Sequence, residues 1–381
     1  MKQKVVFFAL FILLFFNCKT KISNVKELNP KVLSTINQVV NENNLPGLTF
    51  SIIQKNGQIE NYAVGFSDVE NKIKLNSDHT FLSGSIGKTY AAALTMKLHD
   101  KKQIDLSDIF LNYFPDNDWL HQIPNIEDIT IGMLLQHTSG LPRYVLKPEI
   151  WKQIDENPNK VWTYKDRLTT IFNDKSVHEA GKSWSYSDTN YILLGMLIEK
   201  VTKNNYYDLA EYQILKPYNL KQTYPSIKRN ISNLAVGYSK MPPTFLVPEK
   251  TVVGGSYFFN PQMEWTGGGM ASSTSDLAKW AKLYYTSKPF SKEALALITT
   301  ENSQGHHVMG KDSYGMGSFI YETKHGIAFG HSGFMPGFNS LFIYYPDLEV
   351  AAAIQTNCDY ASANLNMNEL MDNLITQSLT R

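Results

Sequence analysis

The hydrophobic pattern falls into unlike stretches. From Pro30 to Asn41, Val32, Leu33, Ile36, Val39 and Val40 recur at helical spacing, so the segment predicts an amphipathic helix. Two β-rich runs follow, Leu48–Gln54 and Gln58–Gly65. They flank Asn56-Gly57, a turn pair that favours a hairpin. Near the other end four β-rich runs appear in succession: Gly315–Glu322, Ile327–Ser332, Phe338–Tyr345 and Val350–Thr356. Asn357 to Thr380 then predicts a helix with Leu370, Met371 and Leu374 on one face.

The middle differs. From Ile86 to about Lys288 the periodic segments are mainly helical, joined by long loops rich in Pro, Gly and Asn. The economical assembly is an α+β fold: one antiparallel sheet built from both chain ends and covered by the terminal helices, with a mainly helical region inserted over about 86–288.

Composition narrows the class. Thirty-six basic residues stand against 35 acidic ones, and no basic stripe is visible, which argues against a nucleic-acid partner. The 43% apolar and 12% aromatic content suits a folded enzyme. Lys2 and Lys4 precede a continuous apolar run, Val5 to Phe16, and Cys18 follows at once. The run is shorter than the roughly 20 residues that span a bilayer, and its charged lead reads as an export signal. Phe15-Phe16-Asn17-Cys18 is similar to a bacterial lipoprotein cleavage site. The expected organisation is therefore a signal at 1–18, a polar tether at 19–28 and a single folded unit at 29–381. A lipid on Cys18 would anchor it to a membrane, facing the periplasm or exterior of the cell envelope. Cys358 is the other cysteine and reads as a small buried residue near a strand end.

Three short constellations carry chemistry. Ser85-Ile-Gly-Lys88 leads into the helix former Tyr90–Leu98, so Ser85 and Lys88 share one helix face near its N-terminus. A serine needs an adjacent base to become a good nucleophile. Ser23-Asn-Val-Lys26 has the same spacing but lies in the tether. Gly87-Lys88-Thr89 imitates the end of a phosphate-binding loop, yet Leu82 occupies the position where that loop needs glycine. The second constellation is Tyr186-Ser-Asp188, on a loop before the apolar helix Ile192–Glu199. The third is His331-Ser332-Gly333-Phe334, at the end of a strand run, where glycine permits close backbone approach. His137-Thr-Ser139-Gly140 reads as a helix end, and Gly267-Gly-Gly269 as a turn before a helix capped near Ser273. His306 and His307 are adjacent, without metal-ligand spacing; neither a metal nor a cofactor is expected.

In the order Ser85-x-x-Lys88, Tyr186-Ser-Asp188, His331-Ser-Gly333, the chain resembles the serine β-lactamase, DD-peptidase and esterase superfamily. The nearest likeness is to class C β-lactamases and to DD-carboxypeptidases whose third motif begins with histidine. The stretches Asp78–Phe81, Ile104–Asp108, Tyr113–Pro115, Ile129–Pro142, Gly267–Asp276 and Tyr314–Gly317 fit in the same order. The resemblance implies an acyl-enzyme on Ser85, with Lys88 activating the serine and Tyr186 passing a proton to the leaving group. It implies an oxyanion hole made by the Ser85 and Phe334 backbone N–H groups, and Asp188, His331, Ser332 and Gly333 at the substrate. Asp188 stands where asparagine is commoner and would hold Lys88 more cationic. His331 stands where many β-lactamases have lysine, so selection for a substrate carboxylate should be weaker and titratable. The expected substrate is a small peptide, an ester or a β-lactam, with a D-alanyl-D-alanine carboxypeptidase-like activity foremost. An esterase or weak β-lactamase is the alternative, and a non-catalytic penicillin- or peptidoglycan-binding module a further one.

Overall fold

The computed structural model describes residues 28–302, 312–360 and 365–380. Its centre is an eight-stranded antiparallel sheet made of β1 (Gly47–Ile53), β2 (Ile59–Asp68), β3 (Ile73–Lys74), β4 (Ser313–Tyr314), β5 (Phe319–Thr323), β6 (Gly326–Met335), β7 (Phe338–Tyr345) and β8 (Val350–Thr356). The order is β3-β2-β1-β8-β7-β6-β5-β4, so the two chain ends meet where Leu48 pairs with Thr356. Strands β1, β7 and β8 are buried along their whole length, polar Thr49, Ser51, Asn339, Ser340 and Gln355 included.

Alternate residues feed two cores. Leu48, Phe50, Ile52, Leu341, Ile343, Ala352 and Ile354 face the terminal helices α1 (Pro30–Glu42) and α5 (Met367–Leu379). There they meet Val32, Ile36 and Val40 from α1, and Leu370, Met371, Leu374 and Ile375 from α5. Each such side chain, once buried, contributes roughly 1.5–3 kcal/mol. Ile53, Phe338, Phe342, Ala351 and Ala353 face the other way, into the inserted region. That region holds α2 (Lys88–Asp100), α3 (Asp188–Thr202) and α4 (Thr274–Tyr285).

Some expectations need correcting. The inserted region is not only helical. Phe81–Leu82, Met270–Ser272 and Thr223–Pro225 form a small three-stranded sheet that fixes the approach to Ser85. Gly315–Glu322 is not one strand: β4 and β5 flank a bend at 315–318, where Gly317 has φ +77°. Of the predicted helix from Asn357 to Thr380, the described residues 357–360 are not helical and Met367–Leu379 are. Asn357 instead donates its amide to the Phe66 and Val236 carbonyls, and Asp359 accepts from Gly337 N–H. These bonds tie the strand end to the sheet. The Asn56-Gly57 hairpin closes through Gly57 N–H to Gln54 O at 2.9 Å, with Gly57 at φ +83°. The export signal, Cys18, the tether to residue 27, and His306 and His307 lie outside the described residues.

Candidate active site

Ser85 sits in a 3-10 turn, Gly84–Gly87, that runs directly into α2. The turn is pressed against β6. Gly84 has φ +52°, and a Cβ there would lie 2.5 Å from the Phe334 nitrogen. A Cβ on Gly333 would lie 1.9 Å from the Ser83 carbonyl oxygen, and one on Gly87 would lie 2.7 Å from the Gly268 carbonyl carbon. The glycines of the first and third motifs, and Gly268 of the triple glycine, are therefore there because backbones touch. That contact brings the Ser85 and Phe334 backbones to one point of the cleft.

Lys88 is completely buried at the start of α2. Its Nζ donates to three acceptors: Ser85 Oγ at 3.0 Å, Asp188 Oδ1 at 2.7 Å and the Gly267 carbonyl at 2.6 Å. Three acceptors use all three protons of an ammonium, whereas a neutral amine could serve only two. The electrostatics agree. Burial works to lower the Lys88 pKa, but the charge of Asp188 and its hydrogen bond outweigh it, and the net direction is upward. In this resting arrangement Lys88 is a hydrogen-bond donor to the serine rather than an open base.

Asp188 is the first residue of α3, where the helix dipole favours an anion. Its second oxygen, Oδ2, accepts from Arg143 Nε at 3.0 Å and Nη2 at 2.8 Å. Burial would raise the Asp188 carboxyl, but Lys88 and Arg143 overcome it and hold it far below the usual carboxylate range. Arg143 comes from the loop after the helix Ile131–Gln136. It is aimed by two bonds to the neighbouring Pro142 carbonyl, from Ser187 Oγ at 3.0 Å and Thr189 Oγ1 at 2.6 Å. The extra negative charge of aspartate at 188 is thus matched by an arginine 45 residues upstream.

Tyr186 lies over the same cluster, its ring centroid 5.0 Å from Lys88 Nζ and 5.3 Å from the Arg143 guanidinium carbon. Its hydroxyl is buried and forms no well-aligned hydrogen bond among the described residues, yet lies near enough to Ser85 and Lys88 for both to lower its pKa. Burial raises its pKa, Lys88 opposes, and the net shift is upward, so the phenol is neutral. His137, at the left-handed end of the preceding helix, packs its ring 4.2 Å from that of Tyr186. Its Nδ1 accepts from Ser187 N–H at 3.2 Å and bonds the Asn190 amide at 2.9 Å. His137 thus fixes the second motif through Ser187.

The cleft above Ser85 has a volume of about 890 Å³. Ser85, Arg143, Tyr186, Ser332, Gly333 and Phe334 line it, and Phe334 is 44% exposed there. His331 does not line it. Its ring is completely buried, with Nε2 3.2 Å from Tyr314 Oη and Nδ1 2.6 Å from the Ser332 carbonyl. Burial, reinforced by Lys88, pushes its pKa down to about 3. The expectation of a titratable substrate-facing imidazole is therefore corrected: His331 is neutral and supports Tyr186 and Tyr314 from behind. Among the described residues Arg143 is the lysine or arginine that lines the cleft, with 39% of its side chain exposed.

Arg143, His137 and Glu264 were not singled out by sequence for these places. Glu264 is half-buried behind Gly268; desolvation first, then the Asp188 charge, pushes its carboxyl up to about 7 against the pull of Lys88. The one available signal was the aspartate at 188, which called for a compensating cation. Among the described residues no group of three or more His, Cys, Asp or Glu is placed to hold a metal ion.

An antiparallel sheet and a mainly helical insert, meeting at a serine bonded to a buried lysine, define a β-lactamase-type serine hydrolase fold. The family model named Beta-lactamase matches residues 32–374, and the chain belongs to that family. It is 28% identical over 318 residues to Protein flp of Staphylococcus aureus strain MRSA252, covering 82% of this chain. The chain spans about 60% of the length of that relative. Penicillin-binding protein 4* of Bacillus subtilis is 24% identical, covering 85% of this chain and 70% of that protein. Among solved structures, a D-stereospecific amidohydrolase from a Streptomyces species superposes with a TM-score of 0.75 at 25% identity, covering 88% of this chain and 95% of that one.

Proposed function

We propose that Ser85 forms an acyl-enzyme and that the preferred substrates are peptides or amides ending in a D-amino acid, as in a D-alanyl-D-alanine carboxypeptidase. The observation that carries the acyl-transfer reading is the bond from Lys88 to Ser85 Oγ beneath the buried Tyr186 hydroxyl. In the proposed sequence Ser85 Oγ attacks the carbonyl, and the Lys88 ammonium stabilises the oxygen as it loses its proton. The neutral Tyr186 hydroxyl accepts that proton while donating its own to the leaving nitrogen or oxygen. No net ionisation of Tyr186 is needed. The Ser85 and Phe334 backbone N–H groups receive the developing oxyanion. Water then attacks the acyl-enzyme by the reverse proton path.

Two observations support the D-peptide reading. Arg143 supplies, beside Ser85, the fixed cation for a terminal carboxylate that neutral His331 does not. A similar solved protein is titled a D-stereospecific amidohydrolase. The esterase reading is favoured by the neutrality of His331 and by the Asp188 hold on Arg143. A panel of D-Ala-D-Ala and L-Ala-L-Ala peptides, nitrocefin and a p-nitrophenyl ester tests the proposal. Release of D-alanine from the D,D peptide and no cleavage of the L,L peptide is expected. Turnover of the ester alone would overturn the peptidase reading, and turnover of none would favour the binding module.

Lipid attachment at Cys18, anchoring the enzyme in the cell envelope, is part of the same proposal. Wild type should fractionate with membranes and Cys18→Ala should not; two soluble proteins would contradict it.

A further inference from the structure

The cleft contains a carboxylate that the acyl-transfer chemistry does not use. Beyond Tyr186 the wall continues with Phe319, whose ring stacks on Tyr186 at 6.4 Å between centroids and 12° between planes. Tyr321 stacks on Phe319 at 5.8 Å. Both rings come from β5, two residues apart and so on one face of the strand. Asp312, the residue before β4, interacts electrostatically with Tyr321 and lines the same cleft as Ser85. It is 9% exposed.

Nothing in the described residues neutralises Asp312. The Glu322 backbone N–H favours its charged form, and the Glu322 carboxylate, of the same sign, opposes it. Burial first, then that charge, pushes the Asp312 carboxyl up to about 6. A carboxylate serving only to receive one backbone N–H would be an expensive choice there, because asparagine or serine accepts the same bond without burying a charge. A carboxylate at the end of an aromatic wall makes a site for a cation, the carboxylate attracting the charge and the rings covering the apolar groups around it. Arg143, the cation lining the cleft, is held on Asp188 at the Ser85 end.

We propose that Asp312 is a specificity residue that binds an ammonium group of the substrate, so that acyl donors carrying a cationic amine away from the scissile carbonyl are preferred. The proposal rests on the Ser85 acyl-transfer reading.

The test uses a matched pair of p-nitrophenyl alkanoate esters of six to eight acyl carbons, one ending in trimethylammonium and the other in the isosteric neutral tert-butyl group, at pH 8. A charge-assisted contact implies about a tenfold higher kcat/KM for the cationic ester. That ratio should fall to about one in Asp312→Asn, and Asp312→Glu, which keeps the charge, should recover part of it. Equal rates in the wild type, or a preference that survives in Asp312→Asn, would overturn the proposal. Failure of both esters, with no fluorophosphonate label on Ser85, would instead remove the acyl-transfer reading beneath it.

Discussion

Asp188→Asn cuts the central ionic link while nearly preserving shape. Asp188 accepts from Lys88 at 2.7 Å and from Arg143 at 2.8 and 3.0 Å, and its side chain is 4% exposed. Removing one partner of a buried ion pair costs about 3–5 kcal/mol. Asparagine keeps an oxygen for Lys88, and Arg143 is 39% exposed and regains water, so the expected loss is about 2–4 kcal/mol. Urea unfolding of both proteins at pH 7, 5 and 3 measures it. The folded carboxyl is held below its unfolded value, so its stabilisation is complete above about pH 3.9 and is lost as pH falls through the folded pKa. The gap between wild type and variant should be about 1 kcal/mol smaller at pH 3 than at pH 5. Carboxylates remote from Asp188 titrate alike in both proteins and cancel; Glu264, raised in part by the Asp188 charge, narrows the gap between pH 5 and 7. Burial then dominates at Lys88, and its amine should deprotonate nearer neutrality, visible as a new rising limb in kcat/KM with pH. No gap at pH 7, or a gap that ignores pH, would refute the reasoning.

Two further outcomes follow from single groups. Tyr186→Phe should lower kcat/KM by about 10²–10⁴ while leaving the unfolding midpoint unchanged or raised, because the buried hydroxyl it removes forms no well-aligned hydrogen bond; a destabilised, fully active variant would contradict both halves. The ratio of kcat/KM for a carboxylate-bearing peptide to that for a neutral ester should carry no His331 component from pH 5.5 to 8, because His331 stays neutral there with its pKa pushed down to about 3, so His331→Gln should leave the profile unchanged. A step in that ratio, abolished in His331→Gln, would show that the imidazole does titrate against substrate.

Local signals in the sequence carried far. Ser85 and Lys88 share one helical turn, so spacing alone placed amine beside hydroxyl, and the alternating runs at both chain ends announced strands that the register then joined. What the sequence hid was long-range or directional. Arg143 and Asp188 are 45 residues apart and meet because Ser187 and Thr189 bond the Pro142 carbonyl. His331 and Ser332 are adjacent on β6, and the phase of the strand sends the imidazole inward and leaves Ser332 at the cleft. The run after β8 had a helical pattern, but Asn357 and Asp359 spend their side chains on backbone groups of neighbouring segments and keep 357–360 out of a helix.

The most direct test of the account is the identity of the acylated atom. The protein is treated with a fluorophosphonate probe and digested, and the labelled peptide is sequenced by mass spectrometry, alongside Ser85→Ala. One adduct per chain on Ser85, absent from Ser85→Ala, is the expected result. A folded wild type that takes no label, or carries it on Ser23, Ser139 or another residue, would contradict the assignment of Ser85 as nucleophile.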